Sequence, residues 1–232
     1  MSRRNKLQKF AEVAGFANVY ENFGDAEAQL LHRGELVSTQ GRWSSAHFTN
    51  SHPITLELAC GKGEYTLGLA QMFPGQNFIG VDIKGARIWK GAKRALELNL
   101  MNAAFLRTRI EQLQMFFAPG EISEIWIVFP DPFPRDSKAN RRLTSPQFLE
   151  IYSRIIAPGG VVHLKTDDDH LYTYTLHVVR THPQCELLSE RANVYSGILV
   201  HDALEIRTFY ELKHLAEGKT IKYVSFRLRG DH

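Results

Sequence analysis

The residues best suited to chemistry are acids and glycines that fall at the ends of predicted strands. The run Glu57-Leu58-Ala59-Cys60-Gly61-Lys62-Gly63-Glu64 closes an apolar stretch, and Gly61 and Gly63 let the backbone turn tightly and approach a ligand. Three readings are open. A dinucleotide-binding loop would need its third glycine at Thr66, and Glu57 would repel a pyrophosphate. A methyl donor such as S-adenosylmethionine carries an ammonium and a sulfonium, which a neighbouring carboxylate suits. The plainest alternative is a tight strand-to-helix turn with no ligand. Asp82 ends the next predicted strand, 25 positions after Glu57, where a carboxylate can accept hydrogen bonds from two ribose hydroxyls. Alone, Asp82 would equally cap an exposed strand end; beside the glycine loop, ribose binding is the better account.

A second constellation is Phe129-Pro130-Asp131-Pro132-Phe133-Pro134-Arg135, followed by Arg141-Arg142-Leu143. Its three prolines exclude regular helix or ladder and fix the loop's path, so Asp131 is a carboxylate on a stiffened support. A rigid turn without chemistry is the structural alternative. Farther on stand Lys165-Thr166-Asp167 and Thr208-Phe209-Tyr210-Glu211. The acid run Asp167-Asp168-Asp169 invites a metal, but if the glycine loop holds a methyl donor, transfer from its sulfonium needs none; on that reading no metal is expected, and Asp168 reads as a helix cap.

These residues need elements to position them. Strands are predicted at 54–58, 78–82, 104–107, 125–129 and 160–165, with looser ones near 185–190 and 222–228. Helices are predicted near 63–72, 86–99, 111–117, 146–156, 170–181 and 205–216. Ser145-Pro146 reads as N-cap and first helical residue, and Pro158-Gly159-Gly160 as the stop of that helix. The alternation implies right-handed crossovers and a parallel sheet, hence an α/β domain over 53–232 with ligands at the carboxyl ends of its strands. Residues 1–52, with Phe10, Phe16, Tyr20, Phe23 and Trp43, read as an extension packed on that domain. It opens as a basic arm of Arg3, Arg4, Lys6 and Lys9, either a solvated tail or a phosphate contact.

Together these motifs resemble the tRNA (guanine-N7)-methyltransferase family of class I S-adenosylmethionine-dependent methyltransferases, over roughly residues 54–228. The family pattern Phe-Pro-Asp-Pro-Trp-Pro-Lys, then Lys-Arg-Arg-Leu, is matched with Phe133 for the Trp and Arg135 for the Lys, without the family's intervening His. Lys165-Thr166-Asp167 resembles its Lys-Thr-Asp, and Thr208 to Glu211 its Thr-x-Tyr/Phe-Glu. The glycine loop resembles the acidic-x-Gly-x-Gly-x-Gly motif, with Ala59 in place of the first glycine. The resemblance implies a Rossmann-like, seven-stranded, mostly parallel sheet with helices on both faces. It implies methylation of a tRNA guanosine at N7, in the variable loop (position 46). By the same resemblance Glu57, Gly61, Gly63, Asp82 and Asp131 bind the donor, with Asp131 also the catalytic position. Arg135, Asp167, Thr208, Phe209, Tyr210 and Glu211 face the tRNA. The family's adenine-side acid falls at Arg109; Glu111 is the candidate substitute, though an acid at a helix start is equally favoured by the dipole.

N7 of neutral guanine bears a lone pair and no proton, so alignment rather than a general base is the demand. Asp131 or Asp167, supported by Glu211, are candidates to hold the N1–H and exocyclic amine. The base must leave its stack, and Phe129, Phe133 or Tyr210 can receive it, each being also a core candidate. Lys84, Arg87, Lys90, Lys93 and Arg94 form an acid-free run in which Arg87, Lys90 and Arg94 share a helix face. Segment 135–142 adds Arg135, Lys138, Arg141 and Arg142 against Asp136. These runs are read as phosphate contacts, against the ordinary alternative of a solvated face. The net charge of +3 over 232 residues does not by itself demand a polyanion. Two distant cysteines, no signal-like start and no long apolar run point to a cytoplasmic protein without membrane contact. Monomer and homodimer are both open. So are a methyltransferase for another RNA or small molecule, and an RNA-binding module whose catalysis has decayed, which Arg109 and Ala59 keep in view.

Overall fold

Each predicted strand is present, and three more precede them. The computed structural model describes residues 5–22, 24 and 28–230; Arg3, Arg4 and Phe23 lie outside the described residues, as does the side chain of Lys6. The chain divides into two units, Met1–Ala118 and Pro119–His232.

In the first unit, helix α1 (Lys6–Val13) leads into three short strands, β1 (Val19–Glu21), β2 (Leu30–His32) and β3 (Glu35–Val37). Then β4 (Ile54–Leu58), α2 (Glu64–Met72), β5 (Asn77–Asp82), α3 (Gly85–Glu97) and β6 (Ala103–Arg107) alternate. Strands β4, β5, β6 and β1 pair in parallel in that order, and β2 and β3 extend β1 as antiparallel neighbours. β4 and β5 are buried at every residue, as expected of parallel strands covered on both faces. Register places Asp82 opposite Arg107, and Arg107 opposite Glu21, at the carboxyl ends of their strands.

The expected seven strands are therefore ten. The added β1 is three residues long and includes buried Glu21, whose charge meets Arg107 Nη1 at 3.0 Å. A charge in so short a run conceals a strand from any hydropathy pattern. Residues 110–115 form a 3₁₀ turn in place of the helix expected over 111–117.

The second unit contains β7 (Ile122–Val128), α4 (Pro146–Ser153), β8 (Ile156–Thr166), α5 (Asp169–Thr181), β9 (Cys185–Arg191), α6 (Phe209–Ala216) and β10 (Lys222–Leu228). β7 and β8 are parallel, and β10 lies antiparallel between β8 and β9. Ser145 is the N-cap residue of α4 and Pro146 lies in its first turn, as expected, though Ser145 Oγ donates to Asn140 O at 3.0 Å and makes no side-chain cap bond to the helix. Pro158-Gly159-Gly160 do not stop α4, which ends at Ser153; they fall inside β8, where the β7 register slips between Ile122 and Glu124. The core of each unit is apolar: Leu56, Ile79 and Phe105 in the first, Trp126, Leu164 and Phe226 in the second, are fully buried. Each such side chain contributes about 1.5–3 kcal/mol.

Candidate active site

In the first unit the glycine loop passes three times through left-handed backbone, at Ala59 (φ 56°), Gly61 (φ 58°) and Gly63 (φ 68°). Ala59 holds that conformation with a Cβ, at a cost of about 1–2 kcal/mol. Gly63 opens α2, and a Cβ there would lie 2.5 Å from the Phe105 ring; one on Gly91 of α3 would lie 2.5 Å from Lys62 O. The loop thus rests on α3 with no room for a side chain between them.

Asp82 fastens this loop. Its Oδ2 accepts from Gly61 N at 2.9 Å and its Oδ1 from Lys84 N at 2.8 Å. Each carboxylate oxygen keeps a second lone pair, so ribose hydroxyls can still be accepted. Glu57 is also buried, and its Oε2 accepts from Thr66 N at 2.7 Å and from Thr66 Oγ1. Among the described residues Oε1 has no such bond. Burial pushes the Glu57 carboxyl up to about 8; the two Thr66 bonds oppose the rise, and Asp82 and Glu64 add to it.

A cationic donor would favour the ionised form, so its binding should release a proton. An acid raised from 4.5 to about 8 contributes stability below its ordinary value that is lost as pH rises through 8. Cation binding has the opposite slope: affinity for S-adenosylmethionine should increase with pH toward 8, by up to about tenfold per unit. Calorimetry across this range should show the rise in the parent and a flat profile in Glu57→Gln; a flat profile in both would remove Glu57 from donor binding.

At the end of β6, Arg109 and Glu111 are both exposed, at the start of the 3₁₀ turn. Sequence reading missed what surrounds them. Asn22 Nδ2 donates to Thr108 Oγ1 at 3.2 Å and to Gln112 Oε1 at 2.9 Å, beside the Glu21–Arg107 pair. No local signal reveals this amide cluster, because β1 brings Asn22 from far along the chain.

In the second unit the proline-rich loop leaves β7 through left-handed Phe129 (φ 48°) and passes through left-handed Phe133 (φ 42°). Phe129 N donates to Lys165 O at 2.8 Å, and Asp131 is exposed between these fixed points. Arg142 corrects an expectation. It is 1% exposed, and its guanidinium is taken up by partners within the protein rather than offered to a phosphate. Its Nε and Nη2 donate to Phe133 O at 3.2 and 3.0 Å, Nη2 lies 2.9 Å from His170 Nε2, and its guanidinium sits 4.3 Å from the Tyr174 ring centre. Arg142 therefore bolts the loop to α5. Arg135 and Arg141 are exposed with no anionic partner among the described residues.

At the end of β8, Lys165 and Glu211 form an ion pair of 2.8 Å with both side chains 0% exposed. Lys165 Nζ also donates to Leu204 O at 3.1 Å and Ile206 O at 2.9 Å, and Tyr195 donates its hydroxyl to Glu211 Oε1. Glu211 Oε2 is buried with no hydrogen-bond partner among the described residues. Thr208 caps α6 by accepting from Glu211 N at 3.2 Å, and leaves Phe209 and Tyr210 60% and 53% exposed, their rings 5.9 Å apart. Asp167 Oδ2 meets Lys219 Nζ at 2.8 Å and His214 Nδ1 at 3.4 Å. The His214 ring is also 6.0 Å from Phe129, so the β7 loop, the β8 end and α6 converge on it. Tyr195 and His214 are participants that motif reading did not identify.

Asp168 caps α5 through Leu171 N at 2.6 Å, as expected, and Asp169 meets Lys222 Nζ at 2.9 Å. Among the described residues no group of three His, Cys, Asp or Glu could hold a metal ion, and no helix is long and apolar enough to cross a membrane. On α3, Arg87, Lys90 and Arg94 are exposed, with Arg94 paired to exposed Glu97 at 3.3 Å.

A family model described as "Putative methyltransferase" matches residues 51–224. The chain is 45% identical over 226 residues to the tRNA (guanine-N(7)-)-methyltransferase of Bacteroides thetaiotaomicron, covering 97% of this chain and 86% of the relative. With the protein of that name from Porphyromonas gingivalis it shares 50% identity over 191 residues, covering 82% and 77%. With that from Christiangramia forsetii it shares 42% over 230 residues, covering 99% and 100%. Among solved structures, the 16S rRNA methyltransferase KamB superposes with a TM-score of 0.61 at 12% identity, covering 84% of this chain and 96% of that one. At that identity the likeness shows the fold alone, the Rossmann-like α/β fold of the methyltransferases.

Proposed function

The chain belongs to the tRNA (guanine-N7)-methyltransferase family, and on that premise we propose that it transfers the methyl group of S-adenosylmethionine to N7 of a guanosine in the tRNA variable loop. The residues present suit the donor. A left-handed glycine loop, Asp82 at the ribose end and the open Oε1 of Glu57 offer close backbone approach and anionic acceptors. Gly61, Gly63, Asp82 and Glu57 would hold it, with Glu111 at the adenine side, and the family resemblance assigns the catalytic position to Asp131. Bound, the donor supplies an electrophilic methyl on a sulfonium.

Guanine as the base is supported by one observation above others. Glu211 Oε2 is a buried acceptor without a donor among the described residues, a state that costs about 1–3 kcal/mol unless a ligand N–H fills it. Guanine offers such donors at N1 and N2, and adenine has no N1–H. In this reading Glu211 and Asp167 hold the base, and the exposed Phe209 and Tyr210 rings stack on it or its neighbour. Asp131 aligns N7 with the methyl, and no residue removes a proton. Arg135, Arg141, Arg87, Lys90 and Arg94 take phosphates; Arg142 does not. Two free cysteines and a tRNA substrate agree with a cytoplasmic enzyme.

The test is transfer of labelled methyl from the donor to tRNA, followed by nucleoside digestion. Label should appear in 7-methylguanosine; label in any other nucleoside refutes the reading. Arg141→Ala should weaken tRNA binding and lower its logarithmic salt slope by about 1, as loss of one phosphate contact requires. An unchanged slope would return Arg141 to a solvated surface.

A further inference from the structure

We infer that helix α1 belongs to the tRNA-binding surface: docked on α3, it forms with that helix a basic ledge for the phosphate backbone, with Trp89 joining the two. This rests on tRNA being the substrate and assigns a role to the N-terminal segment. The segment is built to be held in place. Asn5 and Gln8 cap α1 reciprocally, each backbone N–H donating to the other's side chain at 2.9 Å. Val13 is fully buried, and Phe10 packs so closely on the first residue of α3 that a Cβ on Gly85 would lie 2.9 Å from its ring. Trp89 Nε1 of α3 donates to Glu12 Oε2 of α1 at 2.8 Å.

Beside that carboxylate, the face of the same indole gathers two cations. Lys9 Nζ of α1 lies 5.0 Å from its ring centre and Lys93 Nζ of α3 lies 5.3 Å from it. Lys84, Arg87 and Lys90 are exposed on the same helix or its first turn. None of these five cations has an anionic partner among the described residues, and Glu12 accepts from the indole N–H. Unneutralised cations on two docked helices are held together against their own repulsion, which suits a polyanion. A solvated helix face would need no second helix fixed beside it.

The experiment uses the full chain and measures tRNA affinity against salt, with methyl transfer by the parent protein as the control for the substrate reading. Lys9→Gln combined with Lys93→Gln should lower the logarithmic salt slope by about 2 and leave donor affinity unchanged. Trp89→Phe keeps a ring but removes the bond to Glu12, and should lower the slope by less. If the parent methylates tRNA while the double variant, folded and donor-binding, keeps the parental slope, the ledge is refuted and the substrate reading stands. If the double variant misfolds, Lys9→Gln alone must lower the slope by about 1, and an unchanged slope refutes the ledge. A parent that neither binds nor methylates tRNA would overturn both.

Discussion

Asp131→Ala is expected to lower the rate of methyl transfer by at least ~10²-fold while the protein remains folded. The magnitude is that of losing one preorganised polar group aimed at the reacting atoms. Preorganisation is visible in the loop. Pro130, Pro132 and Pro134 restrict its backbone, Phe129 and Phe133 hold left-handed φ, Phe129 N bonds Lys165 O, and buried Arg142 clamps the Phe133 carbonyl. A carboxylate so mounted needs little rearrangement to align a base with a methyl. Single-turnover kinetics at saturating donor give the relevant rate, and Asp131→Asn separates charge from hydrogen bonding. A near-normal rate in folded Asp131→Ala would take the residue out of the reaction.

Glu211→Ala should destabilise the fold by about 3–5 kcal/mol, the usual cost of leaving a buried ionic partner alone. Burial lowers the Lys165 pKa, Glu211 opposes that shift, and the Arg207 charge adds to it. Without Glu211, the buried ammonium would lose its carboxylate partner and be left with neutral acceptors such as the carbonyls of Leu204 and Ile206. Denaturant unfolding gives the difference, and a loss below about 1 kcal/mol would show that the pair sustains little. Replacing both partners, Lys165→Met with Glu211→Leu, should recover much of the stability. It should not recover activity, because Oε2, the acceptor proposed for guanine, is gone. Stability and turnover would then separate in one protein.

Strands β4 to β8 were legible as short apolar runs set between helix-like stretches, and the strand-end acids followed from the order of elements. β1 was not, since its stability comes from pairing with β6 and from Glu21 meeting a distant arginine. The glycine loop was legible in outline, but the left-handed Ala59 was not: a side chain's size says nothing about its φ. Arg141 and Arg142 are adjacent and chemically identical, and only tertiary structure sends one outward and the other beneath a carbonyl. Thr208 and Glu211 spell a helix cap as well as a family motif, and the structure shows the cap directly. The partnership of Glu211 with Lys165 and Tyr195 joins residues that no periodicity connects.

The central claim concerns a single atom, N7 of guanine, and it can be addressed by removing that atom. A tRNA transcript in which every guanosine is replaced by 7-deazaguanosine keeps the Watson–Crick edge and the phosphates, so it should bind the protein about as well as ordinary tRNA. Incubated with labelled S-adenosylmethionine it should accept no methyl group, while the guanosine transcript is labelled. Methyl transfer to the 7-deaza transcript at a comparable rate would contradict N7 as the acceptor.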